Sequence, residues 1–155
     1  RADVRVVEDV VQRGVEVDQI TSGKVREFAN LMEVTIHTDR MKRSAVGTIF
    51  GNKFPRVIGL DGYHIELKPE GPVVVIVNED RPGVVGRYGT IFGDNRINIA
   101  DMTFSRKVKS GLAVVGINLD QVPSPQVMDQ IRAIDFVKEA YFLDLPRLPL
   151  EDKDD

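Results

Sequence analysis

Apolar positions change their period several times along the chain, and each change marks an element. Val73, Val74, Val75, Ile76 and Val77 form a continuous β-branched run, the mark of a strand buried on both faces. Asn78, Glu79 and Asp80 end it, and Arg81-Pro82-Gly83 turns the chain. Pro82 fixes φ and has no N–H, which suits a helix entrance. Val84, Val85, Tyr88, Ile91 and Phe92 then recur at helical spacing until Gly93-Asp94-Asn95. Ile97 to Lys107, with Ile97, Ile99, Met102 and Phe104, reads as a second strand; Lys109-Ser110-Gly111 turns it into a third, Leu112 to Leu119. Ser124 and Pro125 fit the N-cap and first position of a second helix whose apolar face is Val127, Met128, Ile131 and Ile134. Phe136 to Leu143 is the last strand.

That order is βαββαβ, the ferredoxin-like arrangement. The chain before it alternates differently. Ala2 to Gly14 reads as a helix with Val4, Val7, Val10 and Val11 on one face. Val15 to Ile20 alternates as a half-buried strand that Thr21-Ser22-Gly23 breaks, and Leu31 to Thr38 alternates again. Asp39 to Lys42 makes a charged turn, Ser44 to Phe50 a strand, Gly51-Asn52-Lys53 a turn and Phe54 to Leu60 a strand. Asp61-Gly62 is a tight hairpin signal with Tyr63 to Leu67 as its return. Lys68-Pro69-Glu70-Gly71-Pro72 is short, polar and stiffened by two prolines, and reads as a linker. The expectation is an α+β protein: residues 1–70 a smaller, mostly antiparallel α+β domain, 71–145 the ferredoxin-like domain, and 146–155 a mobile acidic tail.

Composition narrows the function. Of 155 residues, 42% are hydrophobic and 29% charged, enough for a core. A net charge of −3 gives no ground for nucleic-acid or membrane binding. The absence of cysteine excludes disulfides and thiolate chemistry and agrees with a cytoplasmic protein. No apolar run reaches the roughly 18 residues of a membrane helix. The chain starts at Arg1, as a piece of a longer protein would. His37 and His64 sit in no metal spacing, and no nucleophile elbow or Walker loop is present. Gly83-Val84-Val85-Gly86 lacks the full dinucleotide fingerprint. No catalytic residue, metal ligand or bound cofactor is therefore assigned.

Two groups can hold a ligand. The turn Asn78 to Gly83 leads into a helix N-terminus, whose free N–H groups attract a carboxylate. Gly83 and Val84 can hold the carboxylate of an amino acid, Asp80 its ammonium, and Asn78 and Asn98 its polar groups. Arg40, Lys42, Arg43, Lys53 and Arg56 surround two predicted turns and suit a phosphate or carboxylate, though which of them converge stays open.

The wording NEDRPGVVG, followed by GDNRINIADM, resembles the start of an ACT domain, a small amino-acid-binding regulatory module. It is close to the version in D-3-phosphoglycerate dehydrogenases. Arg43 to Leu67, RSAVGTIFGNKFPRVIGLDGYHIEL, looks like the allosteric-substrate-binding domain that precedes it in the long form of that enzyme, and Ala2 to Ile20 resembles the segment returning to that domain. The resemblance implies a regulatory fragment of an NAD-dependent dehydrogenase of serine biosynthesis, with NAD held by the parent enzyme. It implies L-serine as effector, a phosphate-bearing anion at the first domain, and a homodimer or higher homo-oligomer. Serine-binding relatives carry polar residues matching Asn78, Asp80 and Asn98, with histidine often at the first position and asparagine at the second. The same domain pair is similar to the regulatory part of iron–sulfur L-serine dehydratases, and an assembly module without effector is the third reading.

Overall fold

The computed structural model describes residues 16–22, 31–51 and 53–147. The helix expected over Ala2 to Gly14 and residues 148–155 of the expected tail lie outside them. The chain divides into two compact units between Glu66 and Leu67.

The first unit carries a five-stranded sheet in chain order: β1 (Glu16–Ser22), β2 (Leu31–His37), β3 (Lys42–Phe50), β4 (Phe54–Leu60) and β5 (Tyr63–Leu67). The first three pairings are antiparallel. Hairpin turns set the register. Asp61 and Gly62 both take positive φ, 48° and 76°, the pair of left-handed residues that matches the twist of flanking strands. The Asp61 carboxylate also accepts from the Ser44 N–H at 2.8 Å and from Arg43 Nη1 at 2.8 Å. Three boundaries differ from the sequence pattern, one of them by a single residue, β2 ending at His37 and not Thr38. β1 runs through Thr21 and Ser22, which pair with Met32 and Leu31. β3 starts at Lys42, because Thr38 closes the turn early: its hydroxyl oxygen accepts from the Met41 N–H at 3.0 Å, and its N–H donates to the Met41 carbonyl at 2.9 Å.

The second unit has the predicted βαββαβ order: β6 (Gly71–Glu79), α1 (Val84–Asp94), β7 (Ile99–Arg106), β8 (Leu112–Leu119), α2 (Pro125–Arg132) and β9 (Val137–Leu145). Its antiparallel sheet has the order β7-β8-β6-β9. Val74 and Ile76 of β6 and Val115 and Ile117 of β8 pack with Val84, Tyr88 and Phe92 of α1 and Val127, Met128 and Ile131 of α2. Val73 and Val75, on the other face of β6, are buried too, so the unbroken apolar run reflects two-sided burial. Each such side chain contributes about 1.5–3 kcal/mol.

β6 begins two residues before the apolar run. Gly71 and Pro72 pair with Leu145 and Asp144 of β9, while β8 joins only at Val73. Proline is tolerated there because that stretch has a single neighbour strand. Ile97 is buried in the loop before β7 rather than in the strand, and Val85 is half-exposed rather than part of the helix's core face. A Cβ at Gly116 would stand 3.0 Å from Thr103 Cγ2 and 3.0 Å from Leu67 Cδ1, so glycine there makes space for these side chains. Among the described residues no helix is long and apolar enough to cross a membrane.

Candidate functional site

The end of β6, the turn after it and the first turn of α1 form one continuous feature. Asn78 is fully buried; its Nδ2 donates to the Glu79 carbonyl at 2.7 Å, and its Oδ1 is a buried acceptor with no hydrogen-bond partner among the described residues. Glu79 pairs with Arg81 and with Lys138 Nζ at 2.5 Å. Arg81 reaches Asp135 at 3.4 Å and lies 5.4 Å over the Phe136 ring. The Glu79 N–H donates to the Phe136 carbonyl at 2.9 Å. The turn is thereby tied to the chain between α2 and β9. The hydrogen bond from Arg81, then that from Lys138, lowers the Glu79 carboxyl from its ordinary 4.5 to about 2.

Asp80 is tied to the other side. Its N–H donates to the Gly111 carbonyl at 2.8 Å. Its Oδ2 accepts from Arg106 Nη1 at 2.6 Å and from the Ser110 N–H at 3.2 Å. The Arg106 hydrogen bond holds the Asp80 carboxyl below its ordinary value.

Gly83 then turns the chain at φ 86°, a left-handed conformation that costs a residue with a Cβ and glycine little. It stands at the N-cap of α1 with no side-chain cap, and no acidic residue follows in the first turn. The first intrahelical bond is from the Arg87 N–H to the Gly83 carbonyl at 3.0 Å. The N–H groups of Val84, Val85 and Gly86 precede it, so the positive end of the helix carries no counter-charge of its own.

The fifth predicted residue is elsewhere. β7 and β6 both run antiparallel to β8, and therefore in the same direction. Asp80 and Arg106 share one end of the sheet and Asn98 stands at the other, roughly 25 Å away at about 3.3 Å per residue. The crossover through α1 returns the chain to the starting end before β7 begins. Asn98 is exposed there; its Nδ2 donates to Asp120 Oδ2 at 2.6 Å and its N–H to Gln121 Oε1 at 2.8 Å. The structure thus joins Asn78, Asp80, Gly83 and Val84 and leaves Asn98 out within one chain. Near that end is a cleft of about 660 Å³ lined by Lys68, Glu70, Asp101, Asn118, Asp120 and Arg147, which sequence patterns did not flag.

The five basic residues also separate. Arg40, Lys42 and Arg43 lie at the β2–β3 hairpin and Lys53 in the β3–β4 turn, at opposite ends of the nine-residue β3. At strand rise that is roughly 25–30 Å, too far for one phosphate. Arg43 is committed to Asp61, and Arg56 donates to the Pro55 carbonyl at 2.9 Å. Their grouping in sequence arises because the two turns are close in the chain, not in space.

Comparison with known proteins agrees with this architecture. Residues 4–61 match the D-3-phosphoglycerate dehydrogenase intervening domain, and residues 73–136 match the ACT domain. The chain joins an intervening domain of the D-3-phosphoglycerate dehydrogenase family to an ACT domain. It is 31% identical over 137 residues to a D-3-phosphoglycerate dehydrogenase of Archaeoglobus fulgidus, covering 87% of this chain and 26% of that protein. The enzyme of the same name from Methanocaldococcus jannaschii is 33% identical over 137 residues, 88% of this chain and 26% of its own. The Bacillus subtilis enzyme is 29% identical over 135 residues, 87% and 26% respectively. The chain therefore spans about a quarter of the length of these relatives.

Arg106 was missed at the sequence level. It lies 26 positions from Asp80, and only the strand order brings the last residue of β7 to the end of β6.

Proposed function

We propose that the chain is the regulatory, ligand-binding part of a cytoplasmic D-3-phosphoglycerate dehydrogenase of serine biosynthesis, and that its ACT domain binds a small amino acid, L-serine. NAD and the dehydrogenase chemistry belong to the parent enzyme. The open N-terminus of α1, which follows a buried strand ending in Asn78 and Asp80, carries this reading. The N–H groups at Gly83 and Val84 face the ligand carboxylate, where the helix end contributes typically 0.3–1 kcal/mol. Asp80 takes the ammonium. Gly83 and Pro82 fix the turn beforehand, which lowers the ordering cost of binding. Asn98 joins from a second copy, because it is out of reach within one chain.

At the first domain the reading is a phosphate-bearing anion held by Arg40 and Lys42 at the β2–β3 hairpin, with Lys53 and Arg56 excluded by distance. Such binding weakens with salt, since exposed charges are screened over about 8–10 Å.

Calorimetric titration of the intact chain with L-serine, glycine, L-alanine and L-aspartate tests the main reading. L-Serine is expected to give saturable heat and L-aspartate, with its second carboxylate, none. No heat from any of the four overturns the effector reading and leaves an assembly role.

A further inference from the structure

The candidate site contains one charge that works against its ligand. An amino acid brings a carboxylate as well as an ammonium, and Asp80 stands three residues ahead of the open end of α1 with its side chain only 13% exposed. A shielded carboxylate repels an incoming one more strongly than a carboxylate in water does. The structure supplies a counter-charge from the far edge of the sheet. Arg106, the last residue of β7, places Nη1 2.6 Å from Asp80 Oδ2, and the Ser110 N–H meets the same oxygen. Asp80 Oδ1 keeps no hydrogen bond among the described residues, and neither do Nη2 and Nε of Arg106, whose side chain is half-exposed. The pair therefore leaves one acceptor and part of one guanidinium fork without a partner among the described residues, the two kinds of group that a zwitterion requires.

We propose that Arg106 determines the specificity of the effector site: it cancels the charge of Asp80 in the empty domain and offers its remaining donors to the ligand's carboxylate while Asp80 Oδ1 accepts from the ammonium. This rests on the reading that a small amino acid binds at this turn. The ties from Asp80 to Gly111 and Ser110 keep the end of β6 and the β7–β8 turn in register, so the two charges are positioned before a ligand arrives. The pair selects molecules carrying both charges. A ligand lacking the carboxylate adds a second cation beside Arg106, and one lacking the ammonium adds a second anion beside Asp80.

The test is calorimetry on the intact chain with L-serine, L-serinamide, which lacks the carboxylate, and 3-hydroxypropionate, which lacks the ammonium. Wild type is expected to bind L-serine at least tenfold more tightly than either analogue, the scale of a lost charge-assisted hydrogen bond. Arg106→Gln is expected to weaken L-serine about tenfold or more, and Arg106→Lys less, since it keeps the cation. Adding Asp80→Asn to Arg106→Gln removes the uncompensated carboxylate and should recover at least about threefold, a rescue that a purely structural role would not produce. Wild-type affinity in Arg106→Gln, or no recovery in the double variant, overturns the proposal while the effector reading stands. Should Arg106→Gln fail to fold, equal wild-type affinity for serine and either analogue overturns it. No L-serine binding by wild type overturns the effector reading and this proposal with it.

Discussion

Glu79 and Asp80 are neighbours in sequence and anchor the same turn to opposite sides. Glu79 points to Arg81 and Lys138, Asp80 to Arg106 and Ser110. A charged stretch after a buried strand reads as a solvated turn, and the sequence pattern shows only that the strand ends there. Of these partners, Lys138 and Arg106 lie 59 and 26 positions away, and no local period announces them. Asn78 was legible as a polar residue at the strand end, but not its complete burial with an unpartnered Oδ1. The Glu79 network predicts an acid response. A carboxyl lowered on folding from 4.5 to about 2 contributes stability that is present above pH 4.5 and lost as pH falls toward 2. Because the group is exposed, the effect is screened by salt. Thermal melts between pH 6 and pH 2.5 should show Glu79→Gln flattening the acid limb relative to wild type, most clearly at low salt. An unchanged limb would mean that Arg81 and Lys138 do not hold this carboxylate in solution.

At the scale of elements, the features with a local cause were readable. Ser124 accepts from the Val127 N–H at 3.3 Å and Pro125 opens α2, as the Pro-Ser-Pro signal predicts. β4, β5 and β8 have the ends that their turn residues and apolar runs define. The misreadings came from tertiary context. Lys42 looks like a turn residue until Thr38 closes the hairpin before it, and Gly71-Pro72 looks like linker until β9 pairs with it. Asn98 and Asp80 stand at opposite ends of the sheet with β8 between their strands, so a site that uses both needs two ACT domains. The Ser124 cap gives a direct prediction. α2 has only eight residues and depends on its end. Ser124→Ala should cost about 1 kcal/mol, within the usual range of about 0.5–2, in urea denaturation. Ser124→Asp should cost little, because a carboxylate also accepts from Val127 and suits the helix dipole. Equal stability of all three proteins would show that the cap contributes nothing beyond the packing of Val127, Met128 and Ile131.

For the whole molecule, the open edges of the second sheet matter most. β7 forms one edge and β9 the other, each with a row of backbone groups that no strand pairs among the described residues. β7 has Phe104 39% exposed and charges near both ends, Asp101 and Arg106. If two copies of β7 pair antiparallel about a two-fold axis between Thr103 and Phe104, Phe104 of each meets Thr103 of the other. The same pairing carries the start of one β7 to the end of its mate. Asn98 of the second copy then stands near Asp80, Arg106 and the open end of α1, where one chain alone cannot bring it. Effector binding and dimerisation are linked on this view, because a ligand that binds only the paired state stabilises it by mass action. Light scattering at micromolar concentration should give twice the 17.3 kDa chain mass. Phe104→Lys, a charge placed on the edge, should shift the chain toward monomer and weaken L-serine in parallel, while Leu143→Lys on β9 should leave both unchanged. A wild-type monomer, or a Phe104→Lys monomer that binds L-serine with wild-type affinity, would separate the site from the β7 edge and leave Asn98 without a part in it.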